Sequence, residues 1–305
     1  MSGFAAKEYQ QSALDSVLKY FGKCHEFGSP SLAFTATTEE LWQRGLAYNR
    51  IDGFAPDMPY FCLRVPTGGG KTWLAAKCAP LVNTHLLRTE HSVLLWLVPS
   101  KAVRDQSLKL LKDRNTPLHA ALAEAGSVTV LGLDEAKSLA RATLDTSTVV
   151  IVATVQAFNR EEKDGLKVYQ SSGALMQHFE NLDDPLRESL LKDENGVVPC
   201  SLANVLRLRR PFLIVDEAHN NRTELAFSTL AAFNPSGILE LTATPDTENT
   251  PSNVLHSVSA VELKAEQMIK LPILLEAESD WQKCLAYAAN KREQIERFAS
   301  TPESA

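Results

Sequence analysis

No apolar run in this sequence approaches the ~20 residues of a membrane-spanning helix. The first residues, MSGFAAKEYQQ, lack the basic and then apolar pattern of a secretory leader. Both absences make a cytoplasmic chain the expectation. Cysteine is scarce. The five thiols, Cys24, Cys62, Cys78, Cys200 and Cys284, include no CxxC pair, which excludes a zinc-finger reading and leaves reduced thiols. Positive charge is not in excess, because 31 Lys and Arg face 37 Asp and Glu for a net charge of -6. A histone-like coat protein is thereby excluded, and any nucleic-acid contact has to come from a local stripe of residues. Internal repeats and low-complexity blocks are also lacking.

What is present is enough apolar material for a core. Hydrophobic residues make up 44% of 305, too many for a disordered chain. The length suits one large domain or two small ones at about 150 residues each. Short β-branched runs at Tyr60–Val65, Ser92–Val98, Ser127–Leu131, Thr148–Ala153, Phe212–Val215 and Gly237–Leu241 predict buried strands. Helical patterns lie between them at Lys71–Leu87, Lys101–Lys112, Leu118–Ala125, Glu135–Thr143 and Thr223–Ala231. This alternation predicts an α/β fold, a mainly parallel sheet with helices on both faces. Residues 160–200 are polar and interrupted, and they read as an insertion of short helices. Residues 246–256 read as a polar loop, Ala260–Leu263 as a short strand, and Asp280–Ala299 as an amphipathic helix.

Two segments carry chemistry. In Leu63-Arg64-Val65-Pro66-Thr67-Gly68-Gly69-Gly70-Lys71-Thr72, a glycine-rich loop follows a predicted strand and opens a predicted helix. Glycines let successive N–H groups turn inward around phosphate oxygens, and the helix N-terminus adds its positive dipole end. Lys71 is placed to reach β- and γ-phosphates, and Thr72 to put its hydroxyl on Mg²⁺. Val65 stands where the strict phosphate-loop pattern wants glycine, so the match is to the looser PTGxGKT form. The second segment is the apolar strand Phe212–Val215, which ends in Asp216-Glu217-Ala218-His219. Two carboxylates at a buried strand end suit phosphoryl transfer, with Asp216 holding Mg²⁺ and Glu217 polarising the attacking water. Acids also favour helix N-termini for purely structural reasons, and a histidine such as His219 is often a satisfied core residue.

GGGKT, DEAH at 216–219 and Leu241-Thr242-Ala243-Thr244-Pro245 resemble motifs I, II and III of the superfamily 2 helicases and translocases. Tyr9-Gln10 resembles that superfamily's glutamine motif, Leu97-Val98-Pro99-Ser100 its motif Ia, and Ala153–Asn159 the segment between Ia and II. DEAHN, LTATP and VELKAEQMIKLPI are similar, more narrowly, to the Res subunit of type III restriction enzymes.

The resemblance implies a RecA-like P-loop domain over residues 1–245 that binds ATP and Mg²⁺ and works as a DNA-dependent ATPase. Residues 246–305 would form a linker and helix toward a second motor domain. It further implies that Gln10 binds adenine and that Thr67, Gly68, Gly69, Gly70, Lys71 and Thr72 hold the phosphates. Thr72 and Asp216 would hold Mg²⁺, and Glu217 would activate water with Lys71 and Asp216 as catalytic partners. His219, Thr242 and Thr244 would couple nucleotide state to DNA binding, and Ser100, Lys101, Thr154 and Gln156 would lie near the DNA backbone. The implied partners are duplex DNA and a modification or specificity subunit.

The 60 residues after Pro245 (305 − 245) do not hold a second RecA-like domain. Their arginines, Arg292 and Arg297, sit in the charged stretch KREQIERF. Half an engine, slow by itself, is the first expectation. A non-catalytic nucleotide-binding or partner-binding module is the alternative. Pro245-Asp246 with Glu262-Leu263-Lys264 formally matches the PD…ExK nuclease pattern, although Pro245-Asp246 already ends the third motif. The cluster Arg207, Arg209 and Arg210 fits either DNA phosphates or the capping of a helix end.

Overall fold

The computed structural model describes residues 5–159, 167–218, 223–248, 250–268 and 280–299, with side chains up to 294 in the last segment. The described strands are β1 (Tyr60–Arg64), β2 (Val93–Val98), β3 (Val128–Gly132), β4 (Thr148–Thr154), β5 (Phe212–Asp216), β6 (Gly237–Thr242) and β7 (Val254–Ser257). They form one sheet in the order β3-β4-β2-β5-β6-β1-β7, and every pair is parallel. The longer helices are α1 (Glu8–Phe27), α2 (Pro30–Trp42), α3 (Lys71–Leu81), α4 (Lys101–Lys112), α5 (Pro117–Ala123), α6 (Leu202–Arg209), α7 (Glu224–Ala231), α8 (Ala260–Ala265) and α9 (Trp281–Ala299). Among the described residues no helix is long and apolar enough to cross a membrane.

The two faces of the sheet follow from the period-2 alternation of strand side chains. Leu94, Trp96 and Val98 join Phe61, Leu63, Ile214 and Leu239 in a core shared with α1, α3 and α5. Leu95 and Leu97 join Ile151, Leu213, Val215 and Ile238 in a second core beneath α6 and α7. Helices on both faces explain why β2 and β4 are apolar nearly throughout. Trp96 is fully buried with its indole N–H unpartnered. An unmade buried hydrogen bond costs about 1–3 kcal/mol. Burying ~200 Å² of aromatic surface contributes about 5 kcal/mol, so burial decides the position.

The sequence pattern misplaces several elements. The stretch before Tyr60, for which no element was read beyond its first motif, holds α1 and α2. Gly28 at φ +60° stops α1, and Ser29 and Pro30 then start α2, the Ser29 hydroxyl accepting the Leu32 N–H. The helix expected over Lys71–Leu87 is α-helical only to Leu81 and continues as a π-helix, Val82–Leu87. Pro80 lacks an N–H for the regular ladder, and the buried Asn83 amide donates to Thr148 Oγ1 (2.8 Å). The expected helix Glu135–Thr143 is two pieces, Leu133–Ala136 and Arg141–Thr146.

The stretch read as a polar loop contains β7, which pairs with β1. Asn253 secures that edge: its amide donates to the Asn49 (2.9 Å) and Tyr60 (3.2 Å) carbonyls, and its Oδ1 accepts the Asn49 N–H (2.7 Å). Ala260–Leu263 is not a strand but the start of α8. The Ser259 hydroxyl accepts the Glu262 N–H (3.2 Å) while the Glu262 carboxylate accepts the Ser259 N–H (2.7 Å), a capping box. The compact first unit accordingly spans Met1–Ile269, beyond the boundary expected at 245, and Lys270–Ala305 is a second unit that contains α9.

Candidate functional site

β5, β6 and β1 are neighbours in the sheet, so their C-terminal ends lie side by side. Asp216 is in register with Leu241, and Arg64 with Thr242. The Val65 N–H donates to the Thr242 carbonyl (3.0 Å), extending the β1–β6 ladder to the start of the glycine loop. The loop closes on itself through Gly69 N–H to Pro66 O (3.1 Å) and enters α3 at Lys71.

Glycine is required here by geometry. Gly68 and Gly70 hold φ of +85° and +76°, which L side chains resist. A Cβ on Gly70 would lie 2.7 Å from Gln10 Nε2, and one on Gly69 would lie 2.6 Å from Val65 Cγ1. Thr67 and Gly68 are exposed and Thr72 half-buried. A loop stripped of Cβ atoms and leading into a helix N-terminus fits a polyphosphate.

Lys71 is only 8% exposed and folds back under the loop, its Nζ 3.5 Å from the Val65 carbonyl. Its charge meets Glu217 Oε1 at 2.7 Å. Glu217 holds a left-handed backbone, φ +50°, just after β5, and its N–H donates to Asp216 Oδ1 (3.0 Å). Asp216 is 7% exposed. Burial first, and the neighbouring Glu217 charge second, raise its pKa to about 6 against the pull of Lys71 and that N–H. Asp216 and the Thr72 hydroxyl are hard oxygen donors of the kind Mg²⁺ takes.

Gln10 is buried beside this loop, where its Oε1 accepts the Lys7 N–H (3.0 Å). The preceding Tyr9 is a contact the sequence did not announce. Its phenol donates to the Gly69 carbonyl (2.9 Å), and burial, with Glu266 nearby, raises its pKa. Leu263 of α8 reaches the same glycine from elsewhere, its Cδ2 3.2 Å from where a Gly69 Cβ would stand. In the sequence Tyr9 is marked only by its place before Gln10, and Leu263 only by its place in VELKAEQMIKLPI, and neither pattern announces a contact with Gly69. Thr242 is buried at the end of β6, and its Oγ1 accepts the Thr244 N–H (3.1 Å). His219 lies outside the described residues.

The four residues expected near a DNA backbone share this edge of the sheet but not this cluster. They stand at the ends of β2 and β4, where Val98 is in register with Thr154. Thr154 is buried, and the Ser100 hydroxyl caps α4 by accepting the Val103 N–H (3.3 Å). Lys101 and Gln156 are exposed.

The nuclease-like pattern resolves into separate local turns. Asp246 Oδ1 accepts the Glu248 N–H (2.8 Å), while Glu262 closes the α8 capping box. Among the described residues no group of three His, Cys, Asp or Glu is placed to hold a metal ion. The arginine cluster lies before β5, at the opposite edge of the sheet from the glycine loop. There Arg207 donates to the Ser189 and Ala232 carbonyls, and Arg209 pairs with Asp145 at 3.0 Å.

A family model described as the type III restriction enzyme res subunit matches residues 4–247. No curated protein matches the chain. Seven chains of solved structures match, among them a nuclease-deletion mutant of the Type ISP restriction-modification enzyme LlaGI in complex with a DNA substrate mimic. That match has a TM-score of 0.41 and 14% sequence identity, and it covers 98% of this chain and 23% of that one. The present chain thus spans less than a quarter of that protein's length.

Proposed function

Since this chain belongs to the family of type III restriction enzyme res subunits, we propose that it is the ATP-binding and ATP-hydrolysing motor domain of a DNA translocase or helicase of restriction type. The observation that carries this reading is the 2.7 Å contact between Lys71 and Glu217. The glycine loop and the acidic strand end, far apart in sequence, deliver their charged groups to one place.

In this reading bound MgATP supplies the scissile γ-phosphoryl group and a divalent charge. Thr67 to Thr72 surround the phosphates, and Lys71 exchanges Glu217 for phosphate oxygens. Glu217, once released, orients and polarises water. Asp216 and Thr72 hold the metal, and Gln10, buried against Gly70, reads the base. Thr242, Thr244 and His219 relay nucleotide state, and the exposed Lys101 and Gln156, with Ser100 and Thr154 behind them, face duplex DNA. Residues 1–245 carry this chemistry, and 246–305 lead toward a second motor domain. An arginine contributed by such a domain is worth about 10³–10⁵ in rate in related systems. The 305-residue chain by itself is therefore expected to turn over ATP slowly.

The test compares the chain with its Lys71→Ala variant. MgATP is expected to raise the melting temperature of the former and leave the latter unchanged. A variant that keeps the shift overturns the phosphate-loop assignment. Steady-state hydrolysis with and without duplex DNA then separates a motor, whose turnover DNA accelerates, from a nucleotide-binding module, whose turnover stays at background.

A further inference from the structure

The glycines that open the loop to a polyphosphate also give it too much freedom. Glycine occupies both halves of φ space at little cost, so the peptide between Gly69 and Gly70 can turn over almost without steric resistance. A trans peptide points its carbonyl and its N–H in opposite directions. One orientation of this unit offers a phosphate the Gly70 N–H. The other offers it the Gly69 carbonyl oxygen, which repels it.

The structure holds one of the two. Gly69 is buried, and its carbonyl accepts the Tyr9 phenol at 2.9 Å. Tyr9 is 3% exposed, so water competes little for either group. Burial first, and the Glu266 charge second, raise the phenol's pKa and keep it a donor at neutral pH. Glu266 is tied to the start of α1 by Lys7 (3.4 Å) and by the Glu8 N–H (3.4 Å). The Gly70 N–H, directed away from Tyr9 by the same peptide plane, has no partner among the described residues, and Gly70 is only half-buried. Gly68 and Gly70 are both left-handed, the backbone pattern of concave anion-binding turns.

We infer that Tyr9 is a positioning residue for the phosphate loop: by holding the Gly69 carbonyl it fixes the facing of the Gly69–Gly70 peptide and reserves the Gly70 N–H for a phosphate oxygen. This rests on the nucleotide reading above. Tyr9 touches no phosphate itself and acts through the peptide it holds. Its hydroxyl is what matters, because the ring alone fills space without fixing a carbonyl.

The test is calorimetric titration of MgADP into the full chain and its Lys71→Ala, Tyr9→Phe and Ser16→Ala variants, well below their melting temperatures. Ser16→Ala is the control for general loosening of α1. It removes another buried hydroxyl from that helix, one bonded to the Ser12 carbonyl and to His256, far along α1 from the loop. Tyr9→Phe is expected to raise the MgADP dissociation constant about three- to tenfold, the scale of one hydrogen bond. Ser16→Ala is expected to lower the melting temperature comparably and leave that constant unchanged. Binding that Tyr9→Phe leaves unchanged overturns this inference and leaves the nucleotide reading standing. Equal weakening by Ser16→Ala also overturns it, since the effect then belongs to the helix as a whole. A wild-type chain that binds MgADP no better than Lys71→Ala overturns the nucleotide reading and this inference with it.

Discussion

The same edge of the sheet ends in two different ways. At β1, β5 and β6 the polar groups are turned inward: Lys71 and Asp216 are buried, and Lys71 is paired with Glu217. At β2 and β4 the polar groups with freedom to act, Lys101 and Gln156, are exposed, while Thr154 is buried and Ser100 is committed to a helix cap. A buried charge depends on its partner, so removing one group unbalances the rest. An exposed charge matters to the fold hardly at all and matters only to what binds it. The first half is a buried, charge-paired cluster, and the second is an exposed surface.

The largest expected effect lies in the first half. Glu217→Gln keeps the shape and a hydrogen bond toward Lys71 but removes the carboxylate to which the proposed function assigns the water. ATP turnover is expected to fall by about 10²–10⁴, the usual worth of a positioned acid–base group, with nucleotide binding retained. Steady-state hydrolysis beside a nucleotide-binding isotherm checks both parts. A fall in binding as steep as the fall in turnover would break the assignment of Glu217 to the water.

Next comes Gly70→Ala. The left-handed backbone and the close Gln10 amide are expected to cost about 2 kcal/mol in unfolding free energy. Thr67→Ala, in the exposed part of the same loop, is expected to cost under about 0.5 kcal/mol. Denaturant titration of both variants measures the difference, and equal costs would contradict the crowding at Gly70.

A smaller effect concerns pH. His256 of β7 is buried against Ser16 of α1, with its Nδ1 2.9 Å from the Ser16 hydroxyl, and burial lowers its pKa. The unfolded chain therefore takes up this proton at a higher pH than the folded chain. Stability is complete above the unfolded value of about 6.5 and is lost as pH falls below it toward the depressed folded value. His256→Asn is expected to flatten that slope. His178, buried against the Leu139 carbonyl and also depressed by burial, adds a slope of the same sign. Melting temperatures between pH 7 and pH 5 separate the two.

The smallest effect on the fold is predicted for the second half. Lys101→Ala is expected to change stability by less than about 0.5 kcal/mol. It is also expected to reduce the salt dependence of duplex binding by about one counterion. A stability loss as large as that of Gly70→Ala would erase the distinction between the two halves.

The strands of the central sheet were legible because β2, β4, β5 and β6 are apolar runs whose alternate side chains feed two separate cores. β7 was not, because four residues with a histidine and a serine carry no such run, and Asn253 rather than a hydrophobic pattern secures them. α8 was misread although Ser259 and Glu262 spell a capping box. The apolar Val261 and Leu263 imitate strand alternation, and only Leu263 is buried. In the candidate site, the meeting of Lys71 with Glu217 and Asp216 was legible because the segments that carry them follow neighbouring parallel strands, β1 and β5 flanking β6, and so reach the same edge of the sheet. Tyr9 and Leu263 were not, because their contacts with Gly69 depend on the packing of distant helices.

That bracketing of Gly69 also sets an order of assembly. During synthesis the glycine loop emerges almost two hundred residues before Leu263, and β1 stays without β6 and β7 for most of that interval. At about 5–20 residues per second the delay is about 10–40 s. A loop that depends on chain so far downstream folds slowly and late, as non-local parallel pairings do. Ribosome-bound chains stopped before Leu263 would thus carry the whole glycine loop without its outer brace, and protease sensitivity of the nascent loop would fall sharply once that residue clears the exit tunnel.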